Sequence, residues 1–182
     1  VCSSNLIDTA PHAARAPLAM AKVLSESGQS QAAYDTLKRL AQSAPTAVPL
    51  LAPRLSVLAQ ELNCIEDALL FLEHLYQHTA SLDVLQAIVS LRTAKGEIDT
   101  SDWFGKHLER EPSLVAATQW IANEKFEHQQ FHPQVLRALE RAAKPLQRYR
   151  CAACGFEATQ HFWQCPGCQA WDSYPPKRIE EL

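Results

Sequence analysis

Residues 20–45, MAKVLSESGQSQAAYDTLKRLAQSAP, and residues 55–80, LSVLAQELNCIEDALLFLEHLYQHTA, carry one pattern at a spacing of 35. Met20, Ala21, Leu24, Gly28, Ala33, Leu37, Leu40 and Pro45 have counterparts in Leu55, Ser56, Ala59, Asn63, Ala68, Leu72, Leu75 and Ala80. The pattern predicts a helical hairpin. Small residues at 21 and 33 allow two helices to approach closely. Gly28 or Asn63 takes the left-handed conformation that ends the first helix. Leu37 and Leu40, three residues apart, lie on one face of the second helix and close the seam. Pro45 then stops the unit.

The pattern loosens downstream. Residues 82–95 and 101–111 form a third expected hairpin around Gly96, with Phe104 on the seam and Pro112 after it. Ile88 stands where a small residue is expected. Residues 113–128 and 133–146 form a fourth, with Pro133 suited to a first helical turn. The ordinary alternative is a helical bundle whose spacing is coincidental. The hairpins instead resemble the tetratricopeptide repeat, whose period is about 34 residues and whose units stack into a solenoid.

Composition agrees with a helical chain. The 182 residues include only five glycines, and the formal net charge is −3. That charge implies no broad basic surface for nucleic acid. No run of about 18 apolar residues is present to span a bilayer. A signal-peptide pattern is also missing. The chain begins at Val1 rather than Met, so it reads as a fragment.

From Lys144-Pro145 onward the character changes. Cys151, Cys154, Cys165 and Cys168 form C-x2-C-x10-C-x2-C. Two such pairs predict two knuckles that aim four thiolates at one ion, the usual structural zinc arrangement and one that suits tetrahedral iron. Residues 148–182 are too few for a self-sufficient core, so the metal would supply much of their folding free energy. Two disulfides are the competing reading, as is a thioredoxin-like redox pair. The first lacks any sign of secretion. The second needs one C-x-x-C opening a helix. Tyr149-Arg150 and His161-Phe162-Trp163 read as short strands before the knuckles. The aromatics are expected to form a small core and to dock the module on the last helices, with Trp163 or Trp171 as the anchor. Cys2 and Cys64 read as inert thiols.

The tail Arg148-Tyr149-Arg150-Cys-x-x-Cys-Gly-Phe, followed by Trp163-x-Cys-Pro-x-Cys-x-Ala-Trp171 and Pro176-x-Arg178, resembles the end of the LapB (lipopolysaccharide assembly protein B) family of Gram-negative bacteria. The resemblance implies a mainly α fold, a tetratricopeptide-like α-solenoid followed by a rubredoxin-like or zinc-ribbon module. The expected organisation is an N-terminal extension over 1–10, helical repeats over 11–146 and the module over 147–182. It further implies one zinc or iron ion on Cys151, Cys154, Cys165 and Cys168, and an N-terminal membrane anchor preceding this fragment. The implied role is that of a non-enzymatic adaptor at the cytoplasmic face of the inner membrane. Its implied partners are an FtsH-like protease, an LpxC-like deacetylase and lipopolysaccharide assembly factors. One position departs from a rubredoxin knuckle. Gly155 follows the first pair, but Gln169 replaces the glycine usual after the second.

Two other readings compete with the adaptor. A rubredoxin-like electron carrier would use iron, although rubredoxin pairs lie much farther apart in sequence. A zinc-ribbon nucleic-acid binder would use Arg148, Arg150, Lys177 and Arg178, which Asp172, Glu180 and Glu181 offset. Hydrolytic chemistry finds little support. His12, His107, His128, His132 and His161 are scattered. His74 and His78 share a helix face, but Glu73 lies outside an H-E-x-x-H arrangement, and a solvated face is the simpler reading. A closed four-thiolate shell also leaves no coordination position for a substrate.

Overall fold

The computed structural model describes residues 14–97, 101–124 and 129–182. The expected N-terminal extension, Cys2, His12 and His128 lie outside the described residues. The chain falls into two compact units, one through Glu97 and one from residue 98 onward. The fold is mainly α, with a small four-cysteine segment at the end.

In the first unit α1 (Arg15–Glu26), α2 (Ser30–Ser43), α3 (Val48–Glu61), α4 (Ile65–His78) and α5 (Leu82–Ala94) follow one another through short turns. Each packs on the next, and α3 also packs on α5. The ends of α1, α3 and α5 are built alike. Gly28, Asn63 and Gly96 take φ of 79°, 54° and 93°. The following N–H reaches back five residues in each case: Gln29 to the Leu24 carbonyl at 2.8 Å, Cys64 to Ala59 at 3.0 Å and Glu97 to Arg92 at 3.0 Å. This closure satisfies carbonyls that the helix end leaves without partners. The first two of these closures, at Gly28 and Asn63, stand at paired positions of the sequence pattern.

The seams are filled as the pattern predicts. Ala21, Ala33, Ala59 and Ala68 are buried, and Leu37 and Leu72 are fully buried. Ile88 is also fully buried, so on α5 a larger side chain fills the space that alanines occupy earlier. Polar ties join the two hairpins. Asp67 on α4 accepts from the Tyr34 hydroxyl at 2.9 Å and from Lys38 Nζ at 2.7 Å, both on α2. The Lys38 hydrogen bond holds the Asp67 carboxyl below its usual range. Cys64, expected to be inert, is half-buried at the start of α4.

The second unit contains α6 (Ser101–Arg110), α7 (Leu114–Asn123) and α8 (His132–Ala143), then the two-residue strands β1 (Tyr149–Arg150) and β2 (Glu157–Ala158). The α6 helix packs on α7, and α7 on α8. Phe104 is buried as expected, together with Val115, Ala116 and Ala143. No strand precedes Tyr149 among the described residues.

His107 on α6 is buried, and this has a consequence for acid stability. Burial holds its imidazole below the ordinary 6.5; Glu181, Glu111 and Glu180 oppose that shift, and Arg110 adds to it. The fold therefore holds a neutral ring, while the unfolded chain protonates it more readily. The resulting stability is present above pH 6.5 and is lost as pH falls from there through the lower folded value. His107→Gln should flatten this acid limb. Urea midpoints measured on either side of the histidine transition check it: equal acid slopes in both proteins would rule His107 out as the source.

Candidate metal centre

The centre is built from two knuckles of the same geometry. In the first, the Gly155 N–H donates to the Cys151 carbonyl at 2.9 Å, with Gly155 at φ 77°. In the second, the Gln169 N–H donates to the Cys165 carbonyl at 2.8 Å, with Gln169 at φ 61°. Gln169 thus adopts the left-handed backbone conformation that glycine normally supplies. The left-handed region costs a non-glycine residue about 1–2 kcal/mol. Glycine would recover part of this, less its own larger loss of backbone freedom. Gln169→Gly should therefore stabilise the module by about 0.5–1 kcal/mol, read as a raised denaturation midpoint by tryptophan fluorescence. A lowered midpoint would mean that the glutamine side chain matters more than the backbone.

The knuckles face each other. A Cβ added to Gly167 would meet the Phe156 side chain at 3.2–3.3 Å, tight enough that the ring would have to shift. Further hydrogen bonds lock the pair. The Cys151 N–H donates to the Phe156 carbonyl at 2.9 Å, and the Ala152 N–H to the Ser173 carbonyl at 2.7 Å. The Cys165 N–H donates to Ala170, and Gln164 and Trp171 form an isolated bridge. The expected strand at His161-Phe162-Trp163 is not formed. The partner of Tyr149-Arg150 is instead Glu157-Ala158, because the short first knuckle turns the chain straight back on itself.

The four sulfurs lie within 4.8 Å of one another. Cys151 Sγ and Cys168 Sγ are 3.8 Å apart, and Cys154 Sγ and Cys165 Sγ are 3.7 Å apart. A tetrahedral ion with bonds of about 2.3 Å requires sulfur separations of about 3.8 Å. The donor set and its spacing therefore fit one zinc or iron ion. Cys151 and Cys165 are buried, whereas Cys154 and Cys168 are exposed. The thiols also differ in acidity. The Ser173 hydroxyl contact holds Cys151 down to about 6. At Cys154 the Phe156 N–H favours the thiolate, but contacts from Cys168 and the other cysteines, with burial, push the thiol up to about 12. Metal binding requires thiolates, so it would release the protons that remain on these sulfurs.

Around the sulfurs lies an aromatic shell. Tyr149 and Tyr174 are buried, and the His161 ring meets Tyr149, Trp163 and Tyr174 edge-on at centroid distances of 5.6, 4.7 and 6.1 Å. His161 Nε2 lies 3.1 Å from the Tyr174 carbonyl. His161 is therefore a packing residue of the module. His74 and His78 are exposed neighbours on α4, with ring centroids 5.1 Å apart, and they gather no third ligand among the described residues.

The module is fastened to the helices of its own unit. Of the two expected anchors, Trp163 is half-buried against the His161 ring. Trp171 is 58% exposed. The fastening comes from the last residues, which form a short 3-10 turn over Ile179–Glu181. The Ile179 N–H donates to the Arg148 carbonyl at 2.8 Å. The Arg178 guanidinium lies 4.2 Å from the Tyr149 ring centroid and donates to the Gln147 carbonyl at 2.7 Å. The Glu180 carboxylate then caps α7. It accepts from the N–H groups of Leu114 and Val115 and from the Ser113 hydroxyl, the last at 2.9 Å. Ser113 Oγ in turn accepts from the Ala116 N–H at 2.9 Å. The open donors of the first helical turn are thereby satisfied, and a negative charge sits at the positive end of the helix. Nothing in the local sequence marks Glu180 for this task.

Three of the four basic residues of a nucleic-acid reading have partners within the module or beside it; Lys177 is exposed. Arg148 and Arg150 pair with Glu157 at 3.5 and 2.9 Å, and Arg178 is held by Tyr149 and Gln147.

Residues 149–176 match the family described as rubredoxin metal binding domain. A zinc-ribbon domain thus closes the chain. Curated relatives extend the similarity well beyond it. The chain is 23% identical over 175 residues to lipopolysaccharide assembly protein B of Escherichia coli, covering 92% of this chain and 44% of that protein. It is 24% identical over 181 residues to lipopolysaccharide assembly protein B of Haemophilus influenzae, covering 96% of this chain and 46% of that protein. The chain therefore spans less than half the length of the curated relatives it matches. Among the described residues, no helix is long and apolar enough to cross a membrane.

Proposed function

We propose that this chain is the C-terminal part of a non-enzymatic adaptor that regulates lipopolysaccharide synthesis. In this reading residues 11–146 are tetratricopeptide-like repeats that offer a binding surface for partner segments. Residues 147–182 are a module in which Cys151, Cys154, Cys165 and Cys168 hold one zinc or iron ion. The ion supplies cross-links between the knuckles and stiffens the end of the helical array. In its full-length form the protein would sit at the cytoplasmic face of the inner membrane through an N-terminal anchor. There it would present an LpxC-like deacetylase to an FtsH-like protease, alongside other lipopolysaccharide assembly factors.

The observation that carries this reading is the similarity to lipopolysaccharide assembly protein B along nearly the whole chain. The repeated helix closure at Gly28, Asn63 and Gly96 supports the repeat architecture. The test is co-purification from detergent-solubilised cells with a full-length, anchored protein. Protease and deacetylase should both be recovered, and deacetylase levels should rise when Cys151→Ser/Cys154→Ser is the only copy. Normal deacetylase turnover with a metal-free tail would make the module dispensable. Failure to recover either partner would overturn the adaptor reading.

The exposure of Cys154 and Cys168 favours one second reading, electron transfer through bound iron. Reversible reduction of an iron-loaded protein isolated from its native host would support it. Zinc as the sole metal there would exclude it.

A further inference from the structure

We propose that Ser173 is a positioning residue for the metal centre: its hydroxyl donates a hydrogen bond to the Cys151 thiolate and so sets the donor strength of that sulfur. This rests on the four-thiolate reading above. Ser173 Oγ lies 3.2 Å from Cys151 Sγ; it accepts from the sulfur while that is a thiol, and once the sulfur is a thiolate only the hydroxyl can donate. The same oxygen lies 3.2 Å from the Ala170 carbonyl. One hydroxyl proton thus faces two acceptors. A metal-bound thiolate carries negative charge and the carbonyl does not, so in the loaded site the proton goes to sulfur.

The placement is held from both sides. The Ser173 carbonyl accepts the Ala152 N–H at 2.7 Å, which pins Ser173 to the first knuckle. The preceding Asp172 takes φ 50°, and its N–H donates to the Trp163 carbonyl at 2.7 Å, which ties it to the segment leading into the second. Ser173 therefore bridges the knuckles and reaches a sulfur that is itself buried. Tyr174 makes a longer approach to the other buried sulfur, with its hydroxyl 4.0 Å from Cys165 Sγ and 3.1 Å from the Phe156 carbonyl. The two buried thiolates thus have side-chain hydroxyls beside them. The exposed pair, Cys154 and Cys168, faces solvent. Hydrogen bonding to a ligand atom withdraws charge from it, which tunes the metal as outer-shell groups generally do.

The test uses the whole chain loaded with Co²⁺, whose sulfur-to-metal charge-transfer bands report the electron density on the ligands. Ser173→Ala should bind Co²⁺ and Zn²⁺ about 10–100-fold more weakly in competition with a chromophoric chelator. Its charge-transfer band should move to lower energy, because a thiolate without its hydrogen bond gives up charge more readily. Ser173→Thr keeps the hydroxyl and should restore both properties. A band unchanged in Ser173→Ala overturns the proposal even if affinity falls, since loss of the Ala170 contact alone would weaken binding without altering the sulfur. The band is read only from loaded molecules, so partial unfolding of the variant does not blunt the test. If the unaltered protein took up no Co²⁺, the four-thiolate reading itself would fail, a result distinct from equal bands in the two proteins.

Discussion

Replacing Cys151 and Cys154 together with serine should abolish metal binding and unfold residues 147–182, while α1 to α5 keep their helicity. The loss should be the largest that any pair of substitutions produces here. Of residues 147–182, only Tyr149, Cys151, Cys165 and Tyr174 are buried, and two of those four are ligand candidates. So small a core cannot offset the conformational entropy of ordering the segment. Structural zinc supplies about 10–16 kcal/mol in modules of this kind, and a shell cut from four thiolates to two forfeits most of it. Elemental analysis should find about one metal ion per chain in the unaltered protein and none in the variant. Far-ultraviolet circular dichroism should change little, because the regular structure of the module is two short strands and one short 3-10 turn. Tryptophan fluorescence should shift as the shell around Trp163 opens. A protease-resistant tail in a metal-free variant would show that packing alone holds the module.

Glu180→Ala should detach the C-terminal turn from α7 with the metal still bound. The lost carboxylate accepts two backbone N–H groups and a hydroxyl, and Val115 and Ser113 are buried. Hydrogen bonds to a charged group contribute about 1.5–3 kcal/mol each, and Glu180 is only half-buried, so a total of about 2–4 kcal/mol is expected. Glu180→Gln retains one acceptor without the charge and should cost about half as much. Amide hydrogen exchange at Leu114 and Val115 should accelerate in the same order, and limited proteolysis should release the tail faster. Unchanged exchange at both amides would mean that the cap contributes nothing and that the module is held by residues 143–150 alone. Comparison with the cysteine variant separates the two roles of the tail, since one substitution removes the metal and the other only the fastening.

Both predictions concern residues that differ in how visible they were in the sequence. The four cysteines are legible at once, because a tetrahedral ion imposes a local spacing that few other chemistries need. The helical hairpins are legible for a similar reason. Leu37 and Leu72 recur at the 35-residue spacing of the pattern, and Gly28, Asn63 and Gly96 mark turns whose left-handed backbone suits few residues. The second knuckle was harder to read. Gln169 breaks the glycine pattern, and only the tertiary structure shows that it takes the left-handed conformation with its N–H bonded to the Cys165 carbonyl.

Other features depend on contacts between residues far apart in the chain. Trp171 had every local mark of an anchor, being large, aromatic and next to the metal knuckle, yet it faces solvent. The anchor is Glu180, a common surface residue that acts only because the chain end returns to the start of α7, 66 residues earlier. Ser173 is equally plain in sequence and becomes informative only at 3.2 Å from the Cys151 sulfur. Local chemistry, repeated spacing and hydrophobic period are written along the chain, so the sequence by itself determined the helical body and the four-cysteine cluster. What caps α7, which hydroxyl reaches Cys151 and which cysteines face water depend on where distant segments meet, and only the tertiary structure decided them.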